Sequence, residues 1–216
     1  MRKILFLILL ISSFQSIYCQ ISVYDRNAAI DLIKESTEDI NNAHYAPAIE
    51  KLEQAIQLDS SIRQAYVLIN QAARSSGNSE MQKVYLNKAI KLYTEDDLFY
   101  YYLGKYYMKE NQLDKSIYYL SRAVKFSKQN GEDFPAVYDY YASRGICYLK
   151  QQHYEKANSD FDAALKLNKL KAGIYVNKGI ALFKLNRNTE ACLSWNKAKE
   201  KGMGNIVQRY IDKYCE

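Results

Sequence analysis

Residues Tyr138 to Lys171 read YDYYASRGICYLKQQHYEKANSDFDAALKLNKLK, and the apolar positions recur at helical spacing. Tyr141, Gly145 and Tyr148, four and three apart, fall on one face of a first helix. Tyr154, Ala157, Phe161, Ala164 and Leu165 fall on one face of a second. A large residue on one helix over Gly or Ala on the other lets two helix axes approach closely. One such pair is too small to bury its own apolar face, so this stretch predicts neighbours of the same kind.

The neighbours follow in register. Ala55, Ala89, Ala123, Ala164 and Ala198 are separated by 34, 34, 41 and 34 residues. Leu52, Leu86, Leu120, Phe161 and Trp195 each stand three before one of these alanines. Gly104, Gly145 and Gly179 keep the same step on the first helices. A 34-residue helix-turn-helix period is that of the tetratricopeptide repeat (TPR), and over Ala29–Asn205 the chain resembles a five-repeat TPR protein. The resemblance implies an all-α fold, a right-handed superhelical α-solenoid of helix-turn-helix repeats closed by a C-terminal capping helix. Repeats are expected at about 29–62, 63–96, 97–130, 138–171 and 172–205, in one domain covering 20–216, with the cap at about 206–216. Gly104, Gly145, Gly179, Ala157, Ala191, Ala55, Ala89, Ala123, Ala164 and Ala198 are the expected repeat-packing positions. The tail supports the cap, since Ile206, Val207, Tyr210, Ile211 and Tyr214 recur at helical spacing.

Individual repeats depart from the pattern. Glu35 and Ser36 replace Leu-Gly in the first, an atypical terminal unit. In the second, Ile69 and Asn70 replace Leu-Gly, and Gln82 stands where a packing alanine is expected. Ser116 takes that small position in the third. Seven residues, Gly131 to Val137, lengthen the third interval to 41. They are read as extending the fourth repeat's first helix, rather than as a projecting contact through Phe134.

At the N-terminus, Arg2 and Lys3 precede the apolar run Ile4–Ile11, with a more polar stretch to Cys19. This is the pattern of a secretory signal over 1–19, too short to span a bilayer comfortably. The protein is therefore expected to be exported, periplasmic or secreted. The alternative is a membrane-anchored lipoprotein with Cys19 lipidated, which the bulky Tyr18 disfavours. Without Arg2 and Lys3, 28 basic residues face 24 acidic ones in an interspersed pattern. That describes a solvated surface and gives no footprint for nucleic acid. Cys147, Cys192 and Cys215 remain, odd in number and without CxxC spacing. The favoured reading is three small buried side chains, with Cys192–Cys215 as the disulfide pair to test. His44 and His153 share one register in the helix-helix turns, which suits turn residues better than ligands, and no metal or cofactor is expected.

No GxSxG, phosphate-cradling glycine loop or HExxH is present, and no Cys/His pair stands in a shared motif. Asp160 and Asp162, two apart, are read as surface carboxylates on different faces, and the tyrosines as core. The expected function is that of a non-enzymatic protein-protein interaction scaffold of the cell envelope. The TPR resemblance implies a concave groove lined by Tyr101, Lys105, Met108, Ala142, Ile146, Leu149, Val176, Ile180 and Phe183. Asp139, Ala142, Ser143 and Ile146 do not supply the cations of the family's carboxylate clamp. So largely apolar a groove suits the hydrophobic face of a peptide or protein partner, self-association, or the chain's own C-terminal helix. The alternative is a lipid-anchored TPR accessory factor of outer-membrane protein assembly.

Overall fold

The computed structural model describes residues 22–131 and 135–215. The signal over 1–19, the Cys19 anchor and Phe134 lie outside the described residues. Eleven α-helices follow one another among the described residues: α1 (Val23–Asn41), α2 (Tyr45–Leu58), α3 (Arg63–Ser75), α4 (Ser79–Leu92), α5 (Asp97–Lys109), α6 (Leu113–Asn130), α7 (Val137–Lys150), α8 (Tyr154–Leu167), α9 (Ala172–Lys184), α10 (Asn188–Ala198) and α11 (Gly204–Tyr214). The fold is all-α and built of helix pairs, in two compact units that divide within α4, between Tyr85 and Leu86.

Every pair turns in the same way. Ala43, Gly77, Asn111, Gln152 and Asn186 take φ of 60°, 76°, 55°, 63° and 58°, and only one of them is glycine. In each turn the next amide donates to the carbonyl five residues back, as from His44 to Asp39 at 2.8 Å and from His153 to Tyr148 at 2.9 Å. This is the Schellman closure of a helix C-terminus, and it satisfies carbonyls that the helix end would leave bare. Both histidines therefore stand just before the second helix of their pairs.

In the first unit, α1 buries Ala29, Ile33, Ser36 and Ile40. The hydroxyl of Ser22 caps this helix by accepting from the Asp25 amide at 3.0 Å. Opposite, α2 buries Ala48, Ile49, Leu52 and Ala55. Between α3 and α4, Asn70 and Gln82 are both buried, and Gln82 Nε2 donates to Asn70 Oδ1 at 2.9 Å.

In the second unit the first helix of each pair presents glycine to a large residue of the second. A methyl group added at Gly104 would lie 2.5 Å from Leu120 Cγ, and at Gly145 it would lie 2.8 Å from Phe161 Cε1. At Gly179 it would lie 2.3 Å from Trp195 Nε1. No real carbon approaches so closely, so only glycine permits these crossings. Ala123, Ala157, Ala164, Ala191 and Ala198 are wholly buried beside them, as are Ala89 in this unit and Ala55 in the first.

Three expectations need correction. The longer third interval lengthens α6 to 18 residues, against 14 in α2, α4 and α8, while α7 begins only at Val137. Nothing in KFSKQN breaks a helix, Phe126 packs on Tyr100 at 5.1 Å, and α6 stops where Gly131 takes φ 106°. The cysteines are not three free side chains, because Cys192 and Cys215 are disulfide-bonded and only Cys147 remains a buried thiol. The tail folds back along α10, which brings these two residues together with Cα atoms 5.6 Å apart. Asp160 is not a surface carboxylate. It is 5% exposed, and both its oxygens accept from Arg144, Nε at 2.8 Å and Nη2 at 2.7 Å.

Candidate partner-binding face

The first helices α5, α7 and α9 carry all nine expected groove residues, and their environments differ. On α5, Tyr101, Lys105 and Met108 are half-buried. Tyr101 stacks on Tyr140 at 4.6 Å and donates its hydroxyl to the Asp139 carboxylate. Lys105 Nζ lies 3.5 Å from Asp139 Oδ2 and donates to Ser143 Oγ at 3.3 Å. This end of the face is therefore polar and already tied to α7. Beneath it, Tyr140 donates to Asp97 Oδ2 at 2.8 Å. Burial first, and then that hydrogen bond, hold its phenol well above the usual tyrosine range.

Between α7 and α9 the face opens. A cavity of about 390 Å³ is lined by Asp139, Ala142, Ile146, Asn177 and Met203, with Leu170 at its edge. Asp139, Ala142 and Ile146 form one stripe of α7, three and four residues apart. Ala142 is buried at its floor, while Ile146 is half-buried and reachable. Leu149, further along α7, is half-buried against the core around Tyr141 and Phe161.

On α9 the expected residues divide, Val176 being buried and Ile180 and Phe183 half-buried. Val176 belongs to a core cluster with Leu182 and Trp195, and Ile180 and Phe183 pack against that cluster. Tyr214 of α11 covers Phe183, with ring centroids 4.3 Å apart. The structure thus gathers Ala142 and Ile146 into one cavity, sets Tyr101 and Lys105 beside it through Asp139, buries Val176 in the core, and leaves Ile180 and Phe183 half-buried outside that cavity. Sequence reasoning missed Asn177, Leu170 and Met203 as lining residues. Asn177 shares the repeat register of Ser143, a signal that was there to use, whereas Leu170 and Met203 come from connections that no helical periodicity marks.

Several other charged and nucleophilic groups are held in contacts. Burial works against the Arg144 cation, but the hydrogen bonds and charge of Asp160 outweigh it and hold the guanidinium above its ordinary value. Asp162 pairs with Lys178. Burial pushes the Cys147 thiol up, although the nearby Ser116 hydroxyl, 3.2 Å away, works the other way. Among the described residues no group of His, Cys, Asp and Glu could hold a metal ion, and no helix is long and apolar enough to cross a membrane.

Residues 138–170 match the family model described as tetratricopeptide repeat. Anaphase-promoting complex subunit 3 of Schizosaccharomyces pombe is 24% identical over 155 residues, 72% of this chain and 22% of that protein. The chain thus spans about a fifth of the length of that relative. Among solved structures, YrrB, described as a TPR protein with an unusual peptide-binding site, superposes with a TM-score of 0.69 at 20% identity, covering 86% of this chain and 92% of its own. PilF of Pseudomonas aeruginosa reaches a TM-score of 0.71 at 14% identity, covering 88% and 87%. At such identities these structures establish likeness of fold. With one repeat matched directly and the helix pairs keeping its step, the chain is a tetratricopeptide-repeat protein with an all-α, solenoid-type fold.

Proposed function

We propose that this protein is a non-enzymatic scaffold that holds a segment of a partner protein against the α7–α9 cavity. The observation that carries the reading is the Asp139, Ala142, Ile146 stripe facing Asn177 across about 390 Å³ of open space. Its floor is apolar, and a carboxylate and an amide stand at its margin, which suits a peptide with an apolar side chain flanked by backbone or hydroxyl donors. YrrB, with its peptide-binding site, makes the same use of the fold plausible for this chain. The domain so used is taken as 20–216, and the site as the α7 stripe with Tyr101 and Lys105 beside it.

An address in the cell envelope is part of the proposal. The signal-like start at 1–19 supports it, and so does the Cys192–Cys215 disulfide, because such bonds persist in oxidising compartments. Intact mass of the mature chain decides between a free N-terminus near Gln20 and a lipidated Cys19.

The test of function is a pull-down from the envelope fraction of the source organism with residues 20–216 as bait. The control bait is Ile146→Asp, once its helical circular dichroism has been shown to match. A protein held by the first bait and lost with the second supports the reading. Equal capture by both baits, or capture by neither, removes the α7–α9 cavity as the binding site.

A further inference from the structure

We infer that the apolar end of the α9–α10 pair is a docking face for an amphipathic helix, and that α11 is its resident occupant, latched there by the Cys192–Cys215 disulfide. This face borders the α7–α9 cavity at Met203 but stands whether or not that cavity takes a partner. Its centre is Trp195, wholly buried, with Phe183 beside it at 5.9 Å. α11 covers it with one stripe at helical spacing: Val207, Tyr210, Ile211 and Tyr214. Tyr210 stacks on Trp195 at 5.0 Å, and Tyr214 reaches both Phe183 and Trp195.

The grip of that stripe is thin. Val207 alone in α11 is fully buried, and Ile206, expected on the packing face, is 42% exposed. Eleven residues are too few to hold a helix in water without a surface to lie on. The connection to α10 is not helical at Lys201 and Gly202, where φ reaches 91° at the glycine. A Cβ built at Gly202 would meet nothing within 4 Å, so the chain is open on that side, and Met203 is what packs the connection against the Trp195 cluster. What closes the arrangement is the disulfide at the far end of α11.

That disulfide is reachable. It borders a surface cleft of about 610 Å³ lined by Asn188, Thr189, Asn196 and Lys213, and both cysteines are only partly buried. A dithiol reductant opens it in two exchanges. One thiolate attacks a cystine sulfur and displaces the other cysteine as a thiolate. The second reductant thiol then resolves the mixed disulfide. Two electrons and two protons pass to the protein, leaving Cys192 and Cys215 as thiols and the reductant as a disulfide. Once open, the α11 stripe competes for its own face with any helix that carries Val, Tyr, Ile and Tyr at the same spacing.

The test uses a fluorescent peptide of residues 204–214 and the protein before and after dithiothreitol. Trp195 is the single tryptophan of the chain, so its emission reports whether the face is covered. Reduced protein should bind the peptide at least tenfold more tightly than oxidised protein, with red-shifted emission. Hydrogen exchange over 204–214 should rise at least tenfold while 97–184 stay protected. A peptide carrying Val207→Asp should not bind, and the double variant Cys192→Ser, Cys215→Ser should match the reduced protein. Unchanged emission and exchange after reduction would overturn the latch. So would equal peptide binding by the two forms, or loss of protection throughout 97–184, which would make the disulfide a brace of the whole unit.

Discussion

The α3–α4 and α7–α8 pairs solve one packing problem by opposite chemistry. At the crossing of α7 and α8, Gly145 lies under Phe161 and Ala157 is wholly buried. At the equivalent positions of α3 and α4 stand Asn70 and Gln82, two amides joined by a 2.9 Å hydrogen bond. A glycine crossing needs no partner but tolerates no added atom. An amide crossing accepts bulk, yet each amide depends on the other to stay satisfied. The α7–α8 pair does contain a polar joint, but at its edge, where Arg144 grips Asp160 with two bonds and reaches Ser121 Oγ at 3.2 Å.

That edge joint is where the largest effect is expected. Asp160→Ala leaves the Arg144 guanidinium, 17% exposed, with its main partner gone. Breaking one side of such a pair costs about 3–5 kcal/mol, toward the lower figure here because water reaches part of the arginine. Chemical denaturation should show it as a lowered midpoint. An unchanged midpoint would mean that α7 and α8 are held by Gly145 and Phe161 alone. Next comes Gly145→Leu, which drives carbon into the Phe161 ring and costs about 1–3 kcal/mol or more, because that ring is wholly buried and cannot swing out. The same substitution made at Asn70 should cost less, since that site already accommodates a side chain.

The amide crossing is tested by a cycle. Asn70→Ala or Gln82→Ala alone strands a buried amide, at roughly 1–2 kcal/mol each. The double change Asn70→Ala, Gln82→Ala leaves neither amide stranded and should cost clearly less than the sum of the two single changes. Additive losses would show that the two amides do not support one another.

Much of this was legible before any coordinates, for a physical reason. The alternation of large and small residues that lets helices cross is local, so its 34-residue step is written directly in Leu52, Leu86, Leu120, Phe161 and Trp195. Asn70 and Gln82 stood out as departures, but their pairing was not drawn, although their separation of twelve, the same as Gly145 to Ala157, carries it. The length of α6 was also within reach, because no helix breaker occurs between Phe126 and Gly131. Other features depend on where the chain goes after a turn. The Cys192–Cys215 bond needs the tail to fold back on α10, and the packing of Phe183 under Tyr214 follows from the same return. Part of the α7–α9 cavity is lined by Leu170 and Met203, which stand in connections and obey no period. Of the α7 stripe, Ala142 and Ile146 were readable from the repeat register, whereas Leu149, read with them, lies against the core.

The smallest effect concerns the feature on which the two pairs agree, their turns. Gly77 between α3 and α4 and Gln152 between α7 and α8 sit at φ 76° and 63°, with the same hydrogen bond closing each turn. A residue with a side chain gives up about 1–2 kcal/mol in this conformation, and glycine gives back roughly 0.5–1 kcal/mol of that through its looser unfolded chain. Gln152→Gly should therefore stabilise the protein by about 0.5 kcal/mol, and Gly77→Gln should destabilise it by a similar amount. A side chain built at Gly77 meets nothing within 4 Å, so its cost is one of backbone alone, and Gln152 is exposed. Equal and opposite shifts in the denaturation midpoint are the expected result. A gain at 152 without a loss at 77 would mean that the two turns, unlike their hydrogen bonds, are not equivalent in strain.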